Sequence, residues 1–130
     1  MGILIYKASA GSGKTYTLVY EYIKYMFAVL SASDIKNGAY KKQLNFHRRI
    51  LAVTFTNKST AEMKERIVLA LYKMSKGEMG DYVEKLRKDV PALASVEDDA
   101  IKLLAERFLT DVLLDYTQFR VSTIDGFFQQ

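Results

Sequence analysis

Between Lys14 and Leu30 the apolar side chains recur three and four apart. Leu18, Tyr22, Met26 and Leu30 form one row, and Val19, Ile23 and Phe27 lie beside it. That spacing predicts a helix with one buried face. Before it, residues 3–7 (Ile-Leu-Ile-Tyr-Lys) predict a short buried strand. Residues 31–47 are polar, carry Asn37-Gly38 and read as a loop. Residues 50–55 (Ile-Leu-Ala-Val-Thr-Phe) predict a second buried strand. A second helix is expected from about Ser59 to Met74, with Met63, Ile67, Ala70, Leu71 and Met74 inward and a Glu62–Arg66 pair outward. Residues 80–90 predict a short amphipathic helix that Pro91 ends. Residues 96–116 predict a longer one, with Ser95 as a plausible cap and Ile101, Leu104, Ala105, Phe108, Leu109, Val112, Leu113 and Tyr116 at helical spacing. Residues 119–124 predict a third strand. This order of strands and helices implies an α/β fold with a parallel sheet, and residues 75–116 read as a helical insertion before the third strand.

Composition narrows the class. The 130 residues suffice for one domain or part of one. With 49% hydrophobic and 26% charged residues the chain fits a globular protein, not a disordered one. It has no cysteine, which excludes disulfides and cysteine metal sites, and a single histidine, His47. Beside Arg48 and Arg49 in a polar stretch, His47 reads as a surface residue. No apolar run approaches the roughly 18 residues of a membrane span. The N-terminus lacks the basic and long apolar regions of a signal peptide, so a cytoplasmic protein without membrane contact is expected. The net charge of +4 is unevenly distributed: residues 1–74 hold 12 Lys/Arg against 4 Asp/Glu, and residues 75–115 hold 6 against 10. The first half is basic enough to meet a polyanion. Lys36, Lys41, Lys42, Arg48 and Arg49 read first as a solvated loop, with a basic rim near DNA as the alternative.

The sharpest chemical signal is Ala8-Ser9-Ala10-Gly11-Ser12-Gly13-Lys14-Thr15. It matches the phosphate-loop pattern G-x-x-x-x-G-K-[ST], with Ala8 in place of the first glycine. Small residues let the backbone curl its N–H groups toward phosphate oxygens. The helix that follows aims its positive end at the same point. Lys14 suits the β- and γ-phosphates, and the Thr15 hydroxyl suits Mg²⁺. The competing reading is a glycine-rich turn that merely enters a structural helix. The motif alone does not choose among kinases, GTPases, ATPases and helicases.

A second signal spans residues 50–67. Its strand ends in Thr54, Phe55, Thr56, Asn57 and Lys58, and ligands bind at the carboxyl ends of parallel strands. Phe55 can stack on a base while Thr56, Asn57 and Lys58 reach phosphates, which suits single-stranded nucleic acid. Equally, Phe55 can be core, and Thr56 or Asn57 a helix cap.

The run Ala-Val-Thr-Phe-Thr-Asn-Lys followed by Ala-Glu-Met-Lys-Glu-Arg-Ile closely resembles motif Ia of superfamily 1 DNA helicases of the UvrD/Rep/PcrA and RecB/AddA type. Ala-x-Ala-Gly-Ser-Gly-Lys-Thr is that family's form of the phosphate loop. Residues Val121 to Gln129 (Val-Ser-Thr-Ile-Asp-Gly-Phe-Phe-Gln) resemble its next DNA-contacting motif, Ser-Thr-Ile-His-x-Phe. The position of the phosphate loop and the Ser-Thr-Ile form lean toward the RecB/AddA branch. The resemblance implies part of a RecA-like P-loop NTPase with a three-layer parallel sheet, residues 1–74 and 117–130 being the ATP-binding part. It implies an ATP- and Mg²⁺-dependent 3′→5′ translocase on single-stranded DNA, and it leaves room for a nuclease domain or partner subunit. It carries ATP binding to residues 8–15, Mg²⁺ to Thr15, and strand contact to Phe55, Thr56, Asn57 and Thr123, flanked by Thr54 and Lys58.

The chain departs from the family in four places. Asp125 stands where histidine is usual; a carboxylate repels phosphate, so a contact there would be to a base or a side chain. Tyr16 replaces an arginine that often touches the nucleotide, and can stack on it or pack. The glutamine motif for adenine is not found before the loop. The Asp-Glu motif that holds Mg²⁺ and activates water is not found either; Val112-Leu113-Leu114-Asp115 mimics it but continues a helical row. An N-terminal piece of a longer helicase, inactive alone, is therefore expected. Two alternatives remain. A small P-loop kinase of a nucleoside or metabolite would need Arg87 or Arg107 as a lid arginine, both on expected exposed faces. A non-enzymatic docking module would need Leu103, Leu104, Phe108 and Leu114 exposed.

Overall fold

The computed structural model describes the backbone of residues 2–5, 12–54, 57–119 and 121–123. Three short strands, β1 (Gly2–Ile5), β2 (Ile50–Thr54) and β3 (Val121–Thr123), lie parallel in the order β1-β2-β3. The register pairs Ile5 with Val53 and Thr54 with Thr123, so the carboxyl ends of the strands are level. Each connection crosses through a long helix, as parallel neighbours require. Helix α1 (Ser12–Ala28) joins β1 toward β2, and α3 (Asn57–Ser75) leaves β2 toward β3. Both pack on the sheet and on each other.

Periodicity identified the buried faces correctly. Every residue of the two α1 rows from Leu18 to Leu30 is buried, as are Met63, Ile67, Ala70, Leu71 and Met74 of α3. Helix α3 stops where Gly77 takes a left-handed φ of 77°, which lets the Glu78 N–H donate to the Lys73 carbonyl at 2.9 Å.

The stretch expected to be a loop is structured. Residues 31–49 hold a short helix, α2 (Ala32–Lys36), and 3₁₀ turns at Ala39–Lys41 and Phe46–Arg49. A reciprocal cap starts α2: the Asp34 N–H donates to Ser31 Oγ, and the Ser31 N–H to Asp34 Oδ2, both at 3.1 Å. Ile35, Phe46 and His47 are buried there. The surface reading of His47 is thus overturned, because its imidazole is an anchor of this segment.

The segment 75–116 holds α4 (Gly80–Asp89), a 3₁₀ turn at Pro91–Leu93 and α5 (Asp98–Leu114). Helix α5 begins after Glu97, without the Ser95 cap, and Asp98 and Asp99 set negative charge in its first turn. Ile101, Leu104, Ala105, Phe108 and Val112 are buried against α3 and its neighbours. Leu113 and Tyr116, expected inward, are 54% and 44% exposed. Leu113 lies on the flank of the buried row, one turn beyond half-buried Leu109, and Tyr116 follows the end of the helix. Aromatic contacts link α5 to the rest: Phe108 meets Phe27 edge-on at 5.0 Å and Phe46 at 5.8 Å. No described helix is long and apolar enough to cross a membrane.

Candidate nucleotide and nucleic-acid site

Helix α1 opens at Ser12, so Gly13, Lys14 and Thr15 lie in its first turn with Tyr16 next. No acidic residue occupies that turn. A 17-residue helix presents unpaired N–H groups and a positive dipole end at this point. The composition of this turn suits a phosphate group: it carries a lysine and no acidic residue. Ala8, Ser9, Ala10 and Gly11 lie outside the described residues.

The second and third motifs come to the same end of the sheet. Thr54 closes β2 and pairs in register with Thr123, which closes β3. Asn57 and Lys58 open α3, whose first turn also lacks an acid, and Lys58 is exposed. Phe55, Thr56 and Asp125 lie outside the described residues. The first turns of α1 and α3 thus sit beside the level carboxyl ends of three parallel strands, where such folds bind ligands. Among the described residues no cluster of acidic, histidine or cysteine side chains could hold a metal alone.

A second polar constellation, not foreseen from sequence, sits at the opposite end of the sheet. His47, which precedes β2, places Nε2 2.8 Å from Asp115 Oδ2, just past α5. Arg48 Nε donates to the same oxygen at 2.5 Å. That guanidinium, helped by the His47 bond, holds the Asp115 carboxyl down to about 2. The Tyr22 hydroxyl donates to the His47 carbonyl at 3.4 Å, and burial pushes the Tyr22 phenol up. Four residues earlier, buried Asp111 accepts from the Leu44 and Asn45 N–H groups at 2.9 and 3.0 Å and from Arg107 at 3.0 Å. His47 Nδ1 is buried and has no hydrogen-bond partner among the described residues. The role of the histidine–aspartate pair is to fasten α5 to the connector between α1 and β2.

The expected exposed arginines are engaged. Arg87 donates to the Leu93 and Val96 carbonyls and to Asp98, and Arg107 is tied to Asp111. Neither is free to act as a lid arginine. Leu103 and Leu114 are exposed, but Leu104 and Phe108 are fully buried, so half of the docking face required by a partner module is missing.

The model of the UvrD/REP helicase N-terminal domain matches residues 2–129. The chain belongs to that family. This UvrD/REP domain is 32% identical over 140 residues to the ATP-dependent DNA helicase PcrA of Leuconostoc citreum, covering 96% of the chain and 16% of that protein. It is 42% identical over 66 residues to the RecBCD enzyme subunit RecB of Buchnera aphidicola, covering 51% of the chain and 5% of that protein. It is 41% identical over 70 residues to an ATP-dependent helicase/nuclease subunit of Clostridium novyi, covering 54% and 5%. The chain therefore spans from 5% to 16% of the length of these relatives. No solved structure matches it.

Proposed function

We propose that this chain is the nucleotide-binding front of an ATP-dependent DNA helicase that moves 3′→5′ on single-stranded DNA. Residues 1–74 and 117–130 belong to its first RecA-like domain, and residues 75–116 are an insertion. Support comes from one observation: the first turns of α1 and α3 and the ends of β2 and β3 share one end of the sheet. ATP with Mg²⁺ supplies the phosphoanhydride whose cleavage drives movement. The loop at residues 8–13 and the α1 N-terminus bind its phosphates. Lys14 compensates their charge, and Thr15 offers one oxygen to the metal. Thr54 to Lys58 and Thr123 hold the DNA strand, with Phe55 stacked on a base. Helices α1 and α3 pack on each other, so a shift at the phosphates is transmitted through a rigid contact to the strand-holding turn. Turnover is assigned to the longer protein, since residues 1–130 contain no Asp-Glu motif of the family's kind.

The test uses the full-length protein. Lys14→Ala is expected to lower DNA-stimulated ATPase by about 100-fold or more, because charge stabilisation does most of the work in phosphoryl transfer. Phe55→Ala is expected to keep basal ATPase and lose the stimulation by single-stranded DNA. Unchanged ATPase in the first variant, or unchanged stimulation in the second, would reject the corresponding assignment. Unwinding of a 5′-tailed duplex but not a 3′-tailed one would reject the polarity.

A further inference from the structure

We propose that the connector between α1 and β2 is a second nucleic-acid surface, which grips the phosphate backbone of double-stranded DNA. The proposal rests on the helicase reading above and adds a contact remote from the strand-end site. Helix α1 has 17 residues and is about 25 Å long, so the connector begins that far from the phosphate loop. It then leads into the amino end of β2, away from Thr54 and Thr123. Its cations therefore cannot serve the nucleotide or the strand-end residues.

Charge and rigidity carry the argument. Lys36, Lys41, Lys42, Arg48 and Arg49 are all exposed. Arg48 is matched by Asp115. Among the described residues no carboxylate pairs with Lys36, Lys41, Lys42 or Arg49. The nearby Asp34 carboxylate is engaged in the α2 cap, and that of Asp111 is buried under Leu44, Asn45 and Arg107. The backbone that carries the four cations is fixed by buried Ile35, Phe46 and His47 and by the Asp111 bonds. Four cations without a carboxylate partner stand on a fixed backbone, so meeting a polyanion orders their side chains but not the chain that carries them.

The choice of duplex follows from what the connector lacks. Base stacking needs an open aromatic face. Tyr40 is half-buried, and Phe46 is buried with Arg49 over its ring at 5.1 Å. What is offered is charge alone, which favours the denser phosphate array of a duplex.

The experiment replaces Lys36, Lys41, Lys42 and Arg49 together by glutamine in the full-length protein. Binding to a tailed duplex and to a short oligothymidylate is measured across salt concentrations. The expected result is a duplex salt slope reduced by about 3.6, since each of the four phosphate contacts contributes roughly 0.9. Oligothymidylate affinity and basal ATPase should stay unchanged. A companion variant with Lys36→Arg, Lys41→Arg, Lys42→Arg and Arg49→Lys should keep the parental slope, which separates charge from folding. An unchanged duplex slope overturns the proposal. So does an equal loss on both DNAs, which would make the connector part of the single-strand path. Phe55→Ala run alongside tells the two readings apart: if it loses single-strand stimulation while the glutamine variant binds duplex normally, only the connector proposal falls.

Discussion

At the scale of single residues, two carboxylates at the end of α5 hold the connector in place. Asp111 is fully buried and accepts two backbone N–H bonds and the Arg107 guanidinium. Asp111→Ala would leave the partly exposed Arg107 cation and two half-buried N–H donors unpaired, so a loss of about 2–3 kcal/mol is expected in urea denaturation. Asp115 acts through pH. Arg48, and then His47, hold its carboxyl down to about 2 from an ordinary 3.8. A lowered carboxyl stabilises the fold above its unfolded value, and that contribution fades as pH falls from about 4 toward 2. Arg48→Ala should therefore flatten the acid limb of a stability–pH curve in that window; a parallel downward shift at every pH would refute the linkage. None of this was legible in the sequence. His47 and Asp115 are 68 residues apart, and the flanking arginines gave His47 the look of a surface residue.

At the scale of elements, legibility followed the length of the periodic pattern. Helices α1 and α3 have many turns, so their apolar rows fixed both the helices and their buried faces. The three strands were readable as elements, although their expected ends at residues 7, 55 and 124 lie outside the described residues; the two helices begin at Ser12 and Asn57, two residues before the expected Lys14 and Ser59. The short turns of residues 31–49 were not readable. They are held less by local propensity than by buried Phe46 and His47 and by bonds from α5, and only Ser31-x-x-Asp34 offered a local sign. Helix α5 was read correctly in its middle and wrongly at its end, since the pattern does not reveal where packing stops. Its two faces should respond differently. Phe108, fully buried between Phe27 and Phe46, should cost about 3–5 kcal/mol on change to Ala. Leu114, 74% exposed, should shift stability by no more than about 0.5 kcal/mol. Thermal melts of the two variants check this, and a comparable loss in both would mean that Leu114 is covered in solution.

At the scale of the whole molecule, one apolar cluster joins residues from α1, α3, α4 and α5 and from β2 and β3. Met74 and Leu71 of α3 lie in it with Leu86 of α4 and Leu104 of α5. Arg87 ties α4 to the start of α5, and Asp111 and Asp115 tie the end of α5 to the connector. A segment attached at so many points cannot open without exposing the inner faces of α1 and α3. Removing residues 75–116 to look for a partner would therefore disrupt the core, and point changes at exposed Leu103 and Leu114 are the better probe. The same argument predicts how the protein unfolds. If the cluster is one cooperative unit, denaturation followed by far-ultraviolet circular dichroism and by tyrosine fluorescence should give coincident midpoints. The two signals report different properties, since circular dichroism follows the helical backbone and tyrosine fluorescence follows packing around Tyr20 and Tyr22 on α1 and Tyr82 on α4. Phe108→Ala, which acts from inside residues 75–116, should then lower both midpoints equally. Two separated transitions, with only the earlier one sensitive to Phe108→Ala, would mean that residues 75–116 fold as a unit of their own on a sheet that stands without them.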